Sequence, residues 1–153
     1  MNINKKEKPR VILASVSSDS HTWNLVYLEL LMQEIGVDVI NLGCCVPDQE
    51  IIQNIIMQKP FLVVISSVNG HGYNEGSRLI RNIHEEVEEQ CPPIVIGGKL
   101  GIQGNKNISL SNDLIKRGFS RVFDESQAIS DFENYLTNLI HLESIDNKIS
   151  LAG

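Results

Sequence analysis

Apolar residues along this chain fall into blocks that predict five alternating strand–helix units. Short, nearly continuous apolar runs are typical of strands buried on both faces, and between them apolar residues recur at spacings of three and four, as on one face of a helix. The predicted strands are residues 11–16, 37–42, 61–65, 94–96 and 121–123, and the predicted helices are about residues 25–36, 47–59, 73–87, 113–117 and 127–141.

Each of the first three predicted helices has one face that should pack against a sheet. Those faces consist of Leu25, Leu28, Met32 and Ile35; Ile51, Ile52, Ile55 and Ile56; and Leu79, Ile80, Ile83 and Val87. The polar residues after His141 are expected to fray. The pattern therefore predicts one domain over residues 1–153, with a core of about 10–141 and a flexible tail of 142–153.

Five strand–helix units in one small domain predict an α/β fold with a flavodoxin-like, doubly wound, five-stranded parallel sheet and right-handed crossovers. The strand order expected at this size is 2-1-3-4-5. In that order the chain reverses direction between the neighbouring first and third strands, and ligands bind in the crevice this opens at the carboxyl ends of the strands.

Three loops at that edge carry candidate ligand-binding residues. Asp19 and His21 follow the first strand, Ser66-Ser67 the third and Gly97-Gly98 the fourth. Taken singly, a Ser-Ser or Gly-Gly pair is ordinary turn chemistry. Because the three loops follow adjacent strands, they predict a binding crevice.

The Asp19-x-His21 pair admits two interpretations. A histidine ring can bind a metal through one nitrogen while a carboxylate holds the other nitrogen. Alternatively, Asp19 caps the following helix and His21 is a solvated residue at its start.

Composition restricts the partners and the compartment. Thirteen Lys and Arg against nineteen Asp and Glu give a formal charge of −6, and no basic stripe is present, which argues against nucleic acid. No apolar run approaches the roughly 20 residues of a membrane helix, and the run after Arg10 is too short for a signal peptide. We expect a cytoplasmic protein without membrane contact, in which Cys44, Cys45 and Cys91 are small structural side chains.

These residues resemble a known signature. Asp19-x-His21, Ser66-x-Val68 and Gly97-Gly98 are similar to the cobalamin-binding signature Asp-x-His-x-x-Gly, Ser-x-Leu, Gly-Gly. The resemblance is closer to the small, cobalamin-binding subunit of glutamate mutase, also called methylaspartate mutase. It extends from about Val11 to Leu136 and includes residues 64–72 and 116–122.

The resemblance implies a role for each matching residue. His21 would displace the nucleotide base of cobalamin and bind cobalt axially, and Asp19 would accept the other ring N–H. Ser66 would bond the displaced base, and Gly97 and Gly98 would let the nucleotide tail pass. Further contacts would come from Ser18, Ser20, Thr22, Ser67, Val68, Lys99, Leu100 and Gly101.

Three positions depart from the signature. Asn24 stands where the signature has glycine, Val68 replaces leucine, and Lys99 follows the glycine pair where the mutase subunit usually has asparagine. Asn24 is expected to crowd the nucleotide tail. His71, on a glycine-flanked loop at the same edge, is an alternative cobalt ligand, whereas His84 and His141 are expected on solvated helix faces.

The function that the resemblance implies is a subunit of an isomerase. It would hold adenosylcobalamin while glutamate rearranges to 3-methylaspartate. It would be active only with a larger barrel subunit, since no arginine cluster on the ligand edge suits a dicarboxylate.

One alternative is a corrinoid carrier in methyl transfer, although the ten residues before Val11 are too few for the helical cap of such carriers. Another is a relative that has lost cobalamin binding, with Asn24 as its support, and acts as an interaction or regulatory module.

Overall fold

A computed structural model of the protein describes residues 6–101, 107–124 and 128–152, and in this range it confirms the predicted sheet. Five parallel strands lie in the order β2-β1-β3-β4-β5. The strands are β1 (Arg10–Ala14), β2 (Asp38–Gly43), β3 (Leu62–Ser67), β4 (Ile94–Gly98) and β5 (Arg121–Phe123), and the helices are α1 (Trp23–Ile35), α2 (Asp48–Gln58), α3 (Gly72–Glu86), α4 (Asn107–Arg117) and α5 (Ala128–Ala152).

The central strand, β3, divides the core into two layers. It pairs in parallel with β1 on one side and β4 on the other, and all six of its residues are buried. Because successive side chains point to opposite faces, Val63 and Ile65 pack with residues of α2, α3 and α4. Leu62 and Val64 pack with residues of α1 and α5. The same alternation directs Ser66 and Ser67 to opposite sides at the end of the strand.

The predicted helix faces are confirmed except at one position. Leu25, Met32 and the inward residues of α3 are buried, whereas Ile56 on α2 is 50% exposed. Ile51, Ile52 and Ile55 already form a contiguous buried face on α2. Ile56 lies about 40° further around the helix than Ile52, on the side away from Ile51 and Ile55, which places it at the exposed edge of that face.

Several predicted boundaries were wrong. β1 stops at Ala14 rather than Val16, and Ser15 donates its N–H to Gly43 as the chain turns away. β4 includes both glycines, which pair with Ser66 and Ser67. α4 begins at Asn107, six residues earlier than predicted.

The largest difference concerns α5, which continues to Ala152 instead of ending near His141. Residues 142–152 contain no glycine or proline, so nothing in that stretch breaks the helix. The flexibility of this stretch remains a prediction. Within the described residues, no helix is both long and apolar enough to cross a lipid bilayer.

Candidate functional site

The three candidate loops meet at the carboxyl edge of the sheet, where the chain reverses direction between β1 and β3. Asp19, on the loop after β1, is fully buried and joins two of these loops. Its Oδ2 accepts the backbone N–H of Val68 at 2.7 Å and that of Asn69 at 3.2 Å, and its Oδ1 accepts the N–H of His21 at 3.0 Å. The carboxylate therefore fixes the loop after β1 against the loop after β3.

These donors also determine the charge of Asp19. Burial raises the pKa of a carboxyl group, but the N–H groups of Val68, His21 and Asn69 and the His21 ring together outweigh burial. They hold the pKa of Asp19 below its ordinary value of 3.8. Asp19 is thus a carboxylate at neutral pH, as a partner for an imidazole N–H requires.

His21 is oriented by this carboxylate. Its Nδ1 lies 2.7 Å from Asp19 Oδ1, and 59% of its side chain is exposed. A neutral imidazole that donates from Nδ1 keeps its Nε2 lone pair available as a ligand, and no described residue bonds Nε2. The prediction that Asp19 caps α1 is wrong, because the N-cap is Thr22 and no side chain caps that helix, whereas the solvated position expected for His21 agrees with its exposure.

A polar network holds the first part of the same loop. Ser17 donates to Glu75 Oε1 at 2.7 Å, and Ser18 donates to the other oxygen of that carboxylate. Asn69 donates to Ser18 at 3.0 Å. Arg78, which forms a bidentate ion pair with Asp48, also donates to Ser17. The loop that carries His21 is therefore tied to α2 and α3.

A cavity of about 510 Å³ opens beside this loop, between α1, α5 and the ends of β3, β4 and β5. Its volume lies in the range of small-molecule sites, roughly 300–1,000 Å³, and its walls are mostly apolar, as such sites usually are. The lining residues are Asn24, Tyr27, Leu28, Val64, Ile65, Ser66, Val68, Val95, Ile96, Gly97, Gly98, Lys99, Gly101, Phe123, Asp124, Ala128, Ile129 and Phe132.

Asn24 and Ser66 form a polar pair in the cavity wall. Asn24 Nδ2 donates to Ser66 Oγ at 2.8 Å. The Asn24 Oδ1 atom is buried and has no hydrogen-bond partner among the described residues. The residue that departs from the signature therefore contacts the serine that the signature provides.

The two glycines of β4 are required by the protein itself as well as by any ligand. A Cβ atom on Gly97 would lie 2.9 Å from the carbonyl oxygen of Phe123. At Gly98, where φ is +106°, a Cβ atom would lie 2.1 Å from the carbonyl oxygen of Ser67. Close backbone packing thus explains this pair before any nucleotide tail is considered.

The predicted site residues fall into three groups. Six of them line the cavity: Ser66, Val68, Gly97, Gly98, Lys99 and Gly101. Five lie on the loop that holds His21: Ser18, Asp19, Ser20, His21 and Thr22. Ser67 and Leu100 are buried on the other side of the sheet against Gly72, so the structure does not bring them to the cavity.

Sequence reasoning missed the walls contributed by α1 and α5. Five residues that the sequence analysis treated only as packing residues, or did not mention, line the cavity on α1, on α5 and at the end of β5. They are Tyr27, Leu28, Phe123, Ala128 and Phe132. A signal was available for α1, because Leu28 lies one helical turn after Asn24. No comparable sequence signal identified α5.

His71 differs from His21 in its surroundings. It is exposed at the start of α3, and its backbone N–H donates to Asn69. In the described part of the chain, no carboxylate bonds its ring. Among the described residues, no group of three or more His, Cys, Asp or Glu side chains is arranged to hold a metal ion.

A family profile and sequence relatives identify the family of this chain. The profile of the B12 binding domain matches residues 9–104. Glutamate mutase sigma subunit 1 of Haloarcula marismortui is 28% identical over 122 residues, which cover 78% of each chain. The glutamate mutase sigma subunit of Fusobacterium nucleatum is 23% identical over 124 residues, which cover 81% of this chain and 90% of that protein.

A solved structure agrees with the fold. A cobalamin-binding protein from Desulfitobacterium hafniense superposes with a TM-score of 0.64 at 20% identity, over 86% of this chain. The match covers 59% of that protein, so this chain spans little more than half its length. At this identity the likeness concerns the fold alone.

Proposed function

The chain belongs to the B12 binding domain family, and on that premise we propose that it is the cobalamin-binding subunit of an adenosylcobalamin-dependent glutamate mutase. The observation that carries this proposal is the Asp19–His21 pair beside the cavity, with Nδ1 held at 2.7 Å and Nε2 left available. The names of the two sigma-subunit relatives support the choice of the mutase within the family. The reaction proposed is the rearrangement of glutamate to 3-methylaspartate.

The residues present suit such a cofactor. His21 would bind cobalt through Nε2, and Asp19 would keep the ring in the tautomer that allows this. The cavity would receive the displaced nucleotide, with Ser66 donating its hydroxyl to the base. When bound, the cofactor supplies the radical chemistry of its cobalt–carbon bond, while the protein holds and orients it.

A larger partner belongs to the same proposal. Lys99 is the one cationic side chain among the described residues that line the cavity, and a single lysine does not clamp two carboxylates. Recognition of glutamate would therefore come from the larger subunit that the word sigma in the relatives' names suggests.

One alternative has a specific observation in its favour. The Asn24 side chain lies against the Ser66 hydroxyl that the nucleotide base would approach, with Nδ2 donating to Oγ, as expected of a relative that no longer binds cobalamin and acts as an interaction module. Binding of cobalamin separates the two functions.

The deciding experiment is a titration of the purified chain with hydroxocobalamin, followed by visible absorption. We expect saturable binding with the spectrum of histidine-ligated, base-off cobalamin. His21→Ala should weaken binding strongly and remove that spectrum. His71→Ala is the matched control, since His71 is exposed at the same edge without a carboxylate partner, and it should change neither. The opposite behaviour of the two variants would reject the ligand assignment, and absence of binding would favour the interaction module.

A further inference from the structure

The outward face of α1 is apolar, where the outer face of a surface helix is normally polar. Trp23, Val26, Tyr27 and Leu30 follow one another at the spacing of a single helix face, and together they form the α1 stripe. Trp23 is 85% exposed, Leu30 is 62% exposed, and the other two side chains are also exposed. The opposite face of α1 packs against the sheet, so the stripe is not needed for the core and is typical of a protein contact.

The area of the α1 stripe suits a contact between two copies of this chain. Aromatic side chains present roughly 150–250 Å² each, so the exposed parts of the four residues amount to roughly 500 Å². Two stripes in contact would remove about 1,000 Å² from water, which is the lower limit of a specific interface. An interface of this size is expected to form a weak, reversible dimer.

The charges of α1 determine how two copies would be arranged. The helix has no acidic residue in its first turn and no basic residue in its last turn, and the exposed Glu34 lies one turn after Leu30 on the same side. A helix is partly positive at its N-terminus and partly negative at its C-terminus. Parallel helices would bring two Glu34 carboxylates together, whereas antiparallel helices bring each Glu34 towards the N-terminus of the other helix.

We propose that the α1 stripe is the interface of a homodimer, in which the α1 helices of two copies pack antiparallel about a twofold axis. Because Trp23 and Leu30 lie at the two ends of the stripe, Trp23 of each copy packs against Leu30 of the other. This proposal goes beyond the proposed function and does not depend on whether a corrinoid binds.

The test uses Trp23 itself as the probe, because it is the only tryptophan of the chain. Sedimentation equilibrium and tryptophan emission are measured on the purified chain alone, from roughly 1 to 300 µM. We expect a monomer–dimer equilibrium with a dissociation constant of roughly 10–100 µM. The emission should move to shorter wavelength as the dimer forms, because Trp23 leaves water.

Three variants assign the interface. Leu30→Ser retains the tryptophan and should weaken the dimer roughly tenfold or more, since the lost apolar contact occurs once in each copy. Glu34→Lys should weaken it roughly threefold or more, although lysine near the C-terminus favours the isolated helix, so loss of folding does not explain the effect. Met57→Ser is the matched control, because Met57 is 68% exposed on α2, and it should change neither measurement.

A chain that remains monomeric over this range would overturn the proposal. So would a dimer that Leu30→Ser leaves intact, or one that forms without a shift in the Trp23 emission. A dimer that Glu34→Lys leaves unchanged or tightens would overturn the antiparallel arrangement. A monomer whose emission shifts only after a large glutamate mutase subunit is added would also overturn the homodimer, because the stripe would then belong to the contact with that subunit.

Discussion

At the scale of single residues, Asp19 performs two tasks with one carboxylate. One oxygen orients His21, and the other joins the loops after β1 and β3 through Val68 and Asn69. Hydrogen bonds of this kind, from backbone N–H groups to a buried carboxylate, are among the stronger ones in proteins. The same side chain therefore contributes to stability and to the geometry of the candidate ligand.

We expect Asp19→Asn to lower the free energy of unfolding by about 2 kcal/mol at pH 7, because an amide replaces a carboxylate that accepts several N–H groups. The contribution depends on pH. Since the pKa of Asp19 is lower in the folded protein than its ordinary 3.8, the stabilisation is complete above 3.8 and is lost as the pH falls through the lowered value.

Urea unfolding of both proteins between pH 7 and pH 3 measures this dependence. The difference between wild type and Asp19→Asn should shrink at the acidic end. Asp38→Asn, at the exposed start of β2, is the control and should stay within about 0.5 kcal/mol at every pH. An Asp19→Asn difference that does not change with pH would contradict this account.

Asn24→Gly should tighten the binding of cobalamin by roughly 1 kcal/mol, about fivefold. The substitution removes a side chain that crowds Ser66 and eliminates the unsatisfied amide oxygen. The measurement is the dissociation constant from an absorption titration, with the thermal midpoint recorded, because glycine within α1 costs about 1 kcal/mol of stability. An unchanged or weaker affinity would mean that Asn24 is accommodated or contacts the base.

Residue pairs close in sequence were predictable, and distant pairs were not. The two-residue spacing of Asp19 and His21 allowed their contact to be proposed from the sequence, and the structure places Nδ1 within hydrogen-bond distance. Asn24 was identified as the serious departure, but its bond to Ser66 joins positions 42 residues apart. That contact depends on how α1 packs on β3, which no local pattern encodes.

At the scale of elements, the spacing of apolar residues predicted which strands and helices exist, but it did not predict where each of them ends. Glycine is a weak strand former, so Gly97 and Gly98 were placed after β4, whereas both pair with β3. Tertiary packing overrides propensity here, because the close approach of the neighbouring backbones leaves no room for a side chain. The end of β4 is therefore closely packed against β3 and β5 where it borders the cavity.

Gly98→Ala should lower the free energy of unfolding by roughly 3 kcal/mol or more, since the new Cβ would lie 2.1 Å from a carbonyl oxygen at a positive φ. Gly43→Ala isolates the effect of φ alone. Gly43 has φ of +92° and nothing within 4 Å of the added Cβ, so its cost should be near 1 kcal/mol. Chemical denaturation of both variants tests the comparison, and equal losses would show that the contact with Ser67 relaxes freely.

At the scale of the whole molecule, the order β2-β1-β3-β4-β5 brings the His21 loop, Ser66 and the β4 glycines to one edge. This arrangement was predictable, because the order of apolar runs and the short connections leave few topologies for a parallel sheet. The cavity between α1 and α5 was not, since it depends on how the two helices pack against the ends of the strands.

The larger subunit is expected to cover this edge. We expect it to contact the segments Val68–Tyr73 and Leu100–Gly104, of which residues 102–104 lie outside the described residues. His21 and Lys99 are both exposed, on loops that follow β1 and β4 at the carboxyl edge of the sheet. A radical reaction has to exclude water and stray reductants, and the exposed His21 loop does not enclose a cofactor by itself.

We therefore expect the purified chain to produce no 3-methylaspartate from glutamate when adenosylcobalamin is supplied, and activity to arise only after a large glutamate mutase subunit is added. The physical reason is the missing recognition of the substrate, because a single cationic side chain, Lys99, lines the described part of the cavity. The measurement is product formation by the lone chain, by the mixture, and by the mixture with His21→Ala, which should lose activity. His141→Ala, at an exposed position on α5 outside the expected contact segments, should retain it. Turnover by the lone chain that His21→Ala removes would show that this chain carries its own substrate site.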